Sequence, residues 1–343
     1  MRSATLPPDL RTIAREATRS GTPFAPQRTA SIIGLGHWSP AEVVPNSALA
    51  GRLGVDDQWI VKRTGVHTRR RAAPTDRLSD MATWAGRRAL NDAGVEPYDV
   101  DLVLVATMSQ DEITPNTAPL VAHALGAERA GAMDIGAACS GFLAALRMAA
   151  GQIETGRADR VLVIGAEALT RLIDYDDPKT AHLFGDGAGA VVLSACGPGV
   201  MGEIGPIMLA ADGSLGDAIV CDYDARVIKM DGHSTYQTAV KRLSEATVAA
   251  VARAGLELDD VDLFVYHQAN GRIIKAVGDR LDLEPAKVAD YVANMANTSA
   301  ASIPLTLSLL REDNRLRPGQ KVLVAAIGAG FTWGAGIVEW GIA

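Results

Sequence analysis

The chain has 343 residues, 48% hydrophobic and 21% charged, enough for two ordinary domains or one large duplicated one with a substantial core. Its formal charge of −7 argues against a general nucleic-acid binder, and no run of about 18 uninterrupted apolar residues announces a membrane span. Three cysteines, an odd number without paired metal-ligand spacing, fit a reduced cytoplasmic compartment better than a disulfide scaffold.

Residues 1–30 read as a flexible extension. Arg2, Arg11, Arg15, Arg19 and Arg28 against Asp9 and Glu16 give it a local charge of +3 (5 − 2), and no apolar core of a signal peptide follows. Pro7, Pro8, Pro23 and Pro26 interrupt it, leaving room for a short helix between Leu10 and Thr18. The remainder divides into halves, 31–200 and 201–343, that echo one another. Ala93-Gly94 followed by Asp99-Val100-Asp101-Leu102 recurs as Ala254-Gly255 followed by Asp260-Val261-Asp262-Leu263, an offset of 161 residues (255 − 94). Arg160-Val161-Leu162-Val163 and Lys321-Val322-Leu323-Val324 keep the same offset. Several matches in one register indicate a duplication.

Each half predicts the same order of elements. An alanine-rich helix (79–92, then 238–254) leads through a glycine turn to an apolar strand (102–106, then 263–266). A small-residue segment opens a second helix (140–152, then 302–310), and a second strand follows (161–164, then 322–327). Helices alternating with short β-branched runs argue for a layered α/β fold, with strands apolar on both faces lying between helical layers.

The duplication also frames the chemistry. Cys139 sits at the approach to the helix expected from Ser140, where unpaired N–H groups and the helix field favour a thiolate. Its equivalent in the second half is Ala300, so only one of the two helix openings carries a thiol. His267 follows its strand directly, and Asn297 lies in the small-residue segment before the next helix. A soft nucleophile, a proton handler and an amide are enough for acyl transfer through a thioester. Structural readings compete with each: a buried thiol, an ordinary polar histidine, a helix-capping asparagine. The glycines of 328–334 permit close backbone approach and an oxyanion-binding N–H, or simply a loop around a buried aromatic pair. Those of 184–190 suit tight turning and packing. Gly34-Leu35-Gly36 lacks the third glycine of a dinucleotide fingerprint, and the other histidines show no metal-binding spacing.

Ala138-Cys139-Ser140-Gly141, His267-Gln268-Ala269-Asn270, Asn297-Thr298-Ser299-Ala300-Ala301-Ser302-Ile303-Pro304 and Gly328-Ala329-Gly330-Phe331-Thr332-Trp333-Gly334 stand in one order along the chain. Together they resemble the beta-ketoacyl-acyl-carrier-protein synthase III family of the thiolase-fold superfamily, over about residues 31–343. The resemblance implies a duplicated five-layer αβαβα subunit and a homodimer. It assigns the acylated nucleophile to Cys139, malonyl thioester binding and decarboxylation to His267 and Asn297, and the acyl oxyanion hole to the N–H groups of Cys139 and Ala329. Family members often carry glycine at the latter position; alanine retains the donor.

Trp59 and Arg63 match the family's coenzyme A signature, Arg171 a further nucleotide contact, and Asn270 a pantetheine contact. Thr114, before Pro115, stands near the position of an aromatic residue that closes a short acyl pocket in some members. Because the carrier protein is usually acidic, Arg272, Lys275 and Arg280 are the candidate docking residues, although Asp279 interrupts them and Gln237 replaces a commonly basic residue. The implied reaction joins an acyl-CoA to malonyl-acyl carrier protein, with coenzyme A thioester as substrate and no metal or redox cofactor. Two other readings stay open: an acyltransferase serving a nonmalonyl acceptor, and a noncatalytic carrier-binding subunit. Glu112 invites a weak comparison with relatives that use a glutamate base.

Overall fold

A computed structural model of the chain describes residues 6–19 and 27–342. The rest of the N-terminal extension, 1–5 and 20–26, lies outside the described residues. The extension and first half contribute α1 (Pro8–Arg19), β1 (Thr29–Trp38), β2 (Glu42–Pro45), α2 (Ser47–Leu53), α3 (Asp57–Thr64), β3 (Thr68–Arg71), α4 (Leu78–Ala93), β4 (Leu102–Ala106), α5 (Thr117–Leu125), β5 (Gly131–Ile135), α6 (Gly141–Glu154), β6 (Arg160–Ala168) and β7 (Asp186–Cys196). The second half contributes β8 (Met208–Ala211), β9 (Ile219–Cys221), β10 (Ile228–Met230), α7 (Gly232–Arg253), β11 (Leu263–Tyr266), α8 (Gly271–Leu281), α9 (Val292–Met295), α10 (Ser302–Glu312), β12 (Lys321–Gly328) and β13 (Thr332–Glu339).

The duplication is visible in the strand register. One sheet runs β1-β7-β6-β4-β5 and the other β8-β13-β12-β11, so the second repeats four strands of the first. Leu102 pairs with Val161 in the parallel β4–β6 ladder, and Leu263 pairs with Val322 in the parallel β11–β12 ladder. Both partners move by the same 161 residues (263 − 102 and 322 − 161).

Alternation within these strands sets the layers. Val161 and Val163 face a central layer with Leu143 and Leu146 of α6 and Ile303 and Leu307 of α10, where Val322 and Val324 meet them from the other sheet. Leu162 and Ile164 point the opposite way, under α4 and α5. Leu323 and Ala325 lie under α7 and α8. The result is the five-layer αβαβα order with both helix openings at its centre.

Two details differ from the expectations. The glycines at 185, 187 and 189 do not form a turn, because β7 already begins at Asp186 and packs against the other half. The helical part of the extension is docked rather than free: α1 spans Pro8–Arg19, Leu10 is fully buried, and Ile13 and Ala14 pack on the α7–α8 side of the core. The spacing of Leu10, Ile13 and Ala14 gives the helix one apolar stripe, and that stripe finds a seat.

Candidate active site

Cys139 lies in a single 3-10 turn, Ala138–Ser140, that runs directly into α6. Ala138 holds a left-handed backbone (φ 45°), and the Ser140 hydroxyl ties the turn to Thr332 Oγ1 at 2.6 Å. The end of β12 approaches so closely that a Cβ on Gly328 would stand 2.6 Å from the Cys139 nitrogen, which restricts position 328 to glycine. This contact brings the Cys139 and Ala329 segments, the two candidate oxyanion donors, to one wall.

A cavity of about 870 Å³ opens onto that wall, and Cys139, His267, Asn297 and Ala329 all line it. His267 is held by its backbone N–H to Ala325 O at 2.8 Å and by Nδ1 to Ser302 Oγ at 2.7 Å. Asn297 is pinned through its main chain to Leu183 and Gly185, and its Oδ1 accepts the Ser299 N–H at 2.8 Å. The acceptor side of the amide is therefore engaged, and its NH2 group is what remains for a carbonyl oxygen.

Burial sets the resting charges. It pushes the Cys139 thiol up to about 11, opposed by a hydrogen-bonding contribution from Ser299 and by the residue's own backbone N–H. The expected thiolate is thus not the resting form, since desolvation outweighs what the helix opening supplies. Burial likewise lowers His267 to about 3, so the imidazole is neutral at physiological pH. Glu167, unnoticed in the sequence reading, is also completely buried; its Oε1 accepts from Ser299 Oγ at 2.9 Å, and desolvation raises it to about 7.

Trp59 and Arg63 line the same cavity, with the Arg63 guanidinium 4.2 Å from the Trp59 ring centroid and His182 edge-on to that ring at 5.3 Å. Asn270 also lines it and ties two elements together. Its Oδ1 caps α8 by accepting the Arg272 N–H at 2.8 Å, and its Nδ2 donates to Arg63 O at 3.1 Å. Arg272 reaches the cavity wall over the Tyr236 ring.

Other expected positions lie elsewhere. Arg171 is not among the cavity-lining residues; its guanidinium is taken by Asp76 O, Ala73 O and Asp111. Thr114 is exposed in the loop before α5 and does not line the cavity. Lys275 pairs with Asp279 at 2.6 Å, and Arg280 with Asp9 of α1 at 2.6 Å. Glu112 is engaged by Arg77 at 2.7 Å, away from the cavity. Among the described residues there is no cluster of metal-ligating side chains and no helix long and apolar enough to cross a membrane.

Comparison with known proteins identifies the family. Residues 133–213 match the family described as 3-Oxoacyl-[acyl-carrier-protein (ACP)] synthase III, and residues 251–340 match its C-terminal counterpart. The beta-ketoacyl-[acyl-carrier-protein] synthase III of Geobacillus kaustophilus is 41% identical over 312 residues, 91% of this chain and 99% of that protein. Synthase III 2 of Streptomyces coelicolor is 42% identical over 91% of this chain and 94% of its own length. The crystal structure of the Pseudomonas aeruginosa 3-oxoacyl-(acyl carrier protein) synthase III superposes with a TM-score of 0.88 at 38% identity, over 91% of this chain and 98% of that one. The priming beta-ketosynthase of the R1128 polyketide biosynthetic pathway gives 0.87 at 34% identity, over 94% and 99%. With the duplicated fold and the motif order in agreement, the chain belongs to the beta-ketoacyl-acyl-carrier-protein synthase III family of the thiolase-fold superfamily.

Proposed function

We propose that the protein condenses an acyl-CoA starter with malonyl-acyl carrier protein by a ping-pong route through an S-acyl Cys139. The observation that carries this reading is the convergence of Cys139, His267 and Asn297 on one cavity whose wall also holds Trp59 and Arg63. The acyl thioester enters, Cys139 sulfur attacks its carbonyl carbon, and the Cys139 and Ala329 N–H groups receive the oxyanion. Coenzyme A leaves as the tetrahedral adduct collapses.

Malonyl-acyl carrier protein then occupies the same cavity. A neutral His267 has one ring hydrogen. If Ser302 Oγ–H donates to Nδ1 while Ser302 Oγ accepts the Gln268 N–H at 3.3 Å, that hydrogen sits on Nε2. Nε2–H and the Asn297 NH2 then form a pair of donors for the malonyl thioester oxygen. They stabilise the enolate left by loss of carbon dioxide, and the carbanion displaces Cys139 from its acyl group to give a 3-oxoacyl carrier.

A homodimer is part of the same reading. Among the described residues, strand β5 pairs only with β4, leaving its other edge open, and Met133 on it is 44% exposed. Asp134 of β5 accepts from the Thr117 and Ala118 N–H groups, so the loop bearing Thr114 lies beside that edge. Pairing through β5 would bring the Thr114 loop close to the partner subunit. For carrier docking, Arg272 is the least encumbered of the three proposed cations, because Lys275 and Arg280 already hold carboxylates.

Incubation with a panel of acyl-CoAs, followed by intact-protein mass measurement, tests the first half-reaction. We expect one acyl adduct in the wild type and none in Cys139→Ala. An adduct that persists in Cys139→Ala would overturn the assignment. An adduct that passes to a nonmalonyl acceptor in preference to malonyl carrier would favour the acyltransferase reading.

A further inference from the structure

Glu167 is the next-to-last residue of β6, after an uncharged run from Val161 to Ala166, and its carboxylate lies fully buried between the two halves. Among the described residues its hydrogen-bond partners are neutral donors. Oε2 accepts from Ser109 Oγ at 2.5 Å and from Thr107 Oγ1 and Met108 N at 3.3 Å, while Oε1 accepts from Ser299 Oγ at 2.9 Å. The Ala300 N–H also favours its ionised form. Burying a carboxylate without a cation is expensive, and an apolar residue would fill the space at less cost.

Ser299 links this acid to the reacting groups. Its N–H holds Asn297 Oδ1, and it shares the cavity wall with Cys139, where its hydroxyl favours the thiolate without a direct hydrogen bond to the sulfur in this structure. A serine hydroxyl has one hydrogen and can also accept. With that hydrogen given to Glu167, the oxygen is free to accept from the Cys139 thiol. With a proton on Glu167, the carboxyl can donate to Ser299 Oγ and the serine hydrogen can turn to the sulfur.

We propose that Glu167 is a positioning residue that acts through Ser299 as the proton acceptor for Cys139 during acylation. The proposal rests on the reading of Cys139 as the acylated nucleophile. As the sulfur bonds to the thioester carbonyl carbon, the S–H proton passes to Ser299 Oγ and the serine proton passes to Glu167 Oε1. The carbonyl π pair moves to oxygen. Collapse then breaks the carbon–sulfur bond to coenzyme A, whose thiolate takes a proton from solvent. When the carbanion later displaces Cys139, the released thiolate recovers its proton through Ser299, and Glu167 is ionised again.

The resting state agrees with this order of events. Glu167 near 7 and Cys139 near 11 are separated by about four pH units (11 − 7), so transfer accompanies bond formation rather than preceding it. Among the described residues, the titratable group coupled to Glu167 is Cys139, and the hydrogen-bonding partners of Glu167, Thr107, Met108, Ser109, Ser299 and Ala300, do not titrate. His267 and His182 on the cavity wall are lowered to about 3 and about 4, below the range in question. His233 lines the same cavity in every variant, so only an inflection lost with Glu167 or Ser299 counts.

Single-turnover acylation from acyl-CoA, without malonyl carrier, is measured by rapid mixing from pH 5.5 to 9 for wild type, Glu167→Gln, Ser299→Ala and the double variant. The wild-type rate is expected to rise through an inflection near pH 7. Glu167→Gln and Ser299→Ala should each lose at least tenfold at pH 8 and lose that inflection, with the double variant no slower than the slower single. Glu167→Asp should restore part of the rate and the inflection. Alanine at 299 should be accommodated, since Ala138 already adopts the same left-handed φ. Wild-type rate and inflection in either folded single variant would overturn the relay alone. A wild type that forms no adduct would overturn the Cys139 reading and the relay with it. If Glu167→Gln does not fold, Ser299→Ala decides.

Discussion

Ala138 and Ser299 stand 161 residues apart (299 − 138) and share one backbone conformation, with φ of 45° and 46°. Each precedes a helix opening, α6 at Gly141 and α10 at Ser302, separated by the same offset. A left-handed residue other than glycine costs about 1–2 kcal/mol, so its retention at both openings marks a geometry that the duplication copied. The copies carry different chemistry. The residue after Ala138 is the thiol Cys139, whereas the second opening supplies the Ser299 hydroxyl and, two residues earlier, the Asn297 amide.

That division of labour predicts a separation of half-reactions. His267→Ala and Asn297→Ala should each leave Cys139 acylation within about tenfold of wild type while lowering condensation by roughly 10²–10³-fold, the usual loss for one oxyanion donor. Adduct formation and 3-oxoacyl carrier production, timed separately, read the two effects. Equal losses in both would place the pair in service of the thiol instead.

Two buried groups should give opposing pH dependences of stability. His267 falls from 6.5 to about 3 on folding, so the unfolded chain binds the extra proton in that window and stability declines as pH drops through it. Glu167 rises from 4.5 to about 7, so the folded chain binds the extra proton and stability declines as pH climbs from about 4.5 to 7. Each slope approaches about 1.4 kcal/mol per pH unit, and they oppose one another between pH 4.5 and 6.5. Glu167→Gln removes one of them. Its urea-unfolding free energy should therefore rise more steeply with pH across that window than the wild type's, and an equal or shallower slope would contradict the assignment.

Gly328→Ala should damage acylation before it damages the fold. The added Cβ meets the Cys139 nitrogen, a candidate oxyanion donor, at 2.6 Å, and one of the two segments must move. Overpacking of this kind costs about 1–3 kcal/mol. We expect a Tm lower by several degrees and an acylation rate reduced at least tenfold, read by calorimetry and by the rate of coenzyme A release.

The docked N-terminal helix yields separate predictions for stability and for carrier binding. Leu10→Ala should cost about 2–5 kcal/mol, because its side chain is wholly buried. Asp9→Asn removes a half-exposed ion pair with Arg280, worth no more than about 1 kcal/mol, so stability should barely change. Freed from Asp9, Arg280 should lower the KM for malonyl-acyl carrier protein by up to about fivefold, the same energy expressed as affinity. The KM for acyl-CoA should stay constant; an unchanged carrier KM would remove Arg280 from the docking surface.

Much of the architecture was legible because its signals repeat. The paired Leu102–Val161 and Leu263–Val322 registers follow from an offset visible in residue identities alone, and the apolar runs around them have room for burial on both faces. Cys139, His267, Asn297 and Ala329 were recognisable from motif order, and they meet at one cavity. Ionisation was not legible: helix context favoured a thiolate, but desolvation is a property of the packed site. Arg171 and Thr114 matched positions in sequence while their side chains lie outside this chain's cavity lining. Glu167 left one signal, a lone acid in the apolar run Ile164-Gly165-Ala166-Glu167-Ala168, whose meaning depends on Ser299 arriving from the other half.

The most direct test of the account is a chase. Enzyme acylated on Cys139 with an isotopically labelled acyl-CoA is freed of excess substrate, mixed with malonyl-acyl carrier protein, and followed by intact mass on both proteins. The account predicts that the label leaves Cys139 as a labelled 3-oxoacyl carrier appears in equal amount, with loss of carbon dioxide. A label that stays on Cys139, or leaves without appearing in a 3-oxoacyl carrier, would contradict condensation through this thioester.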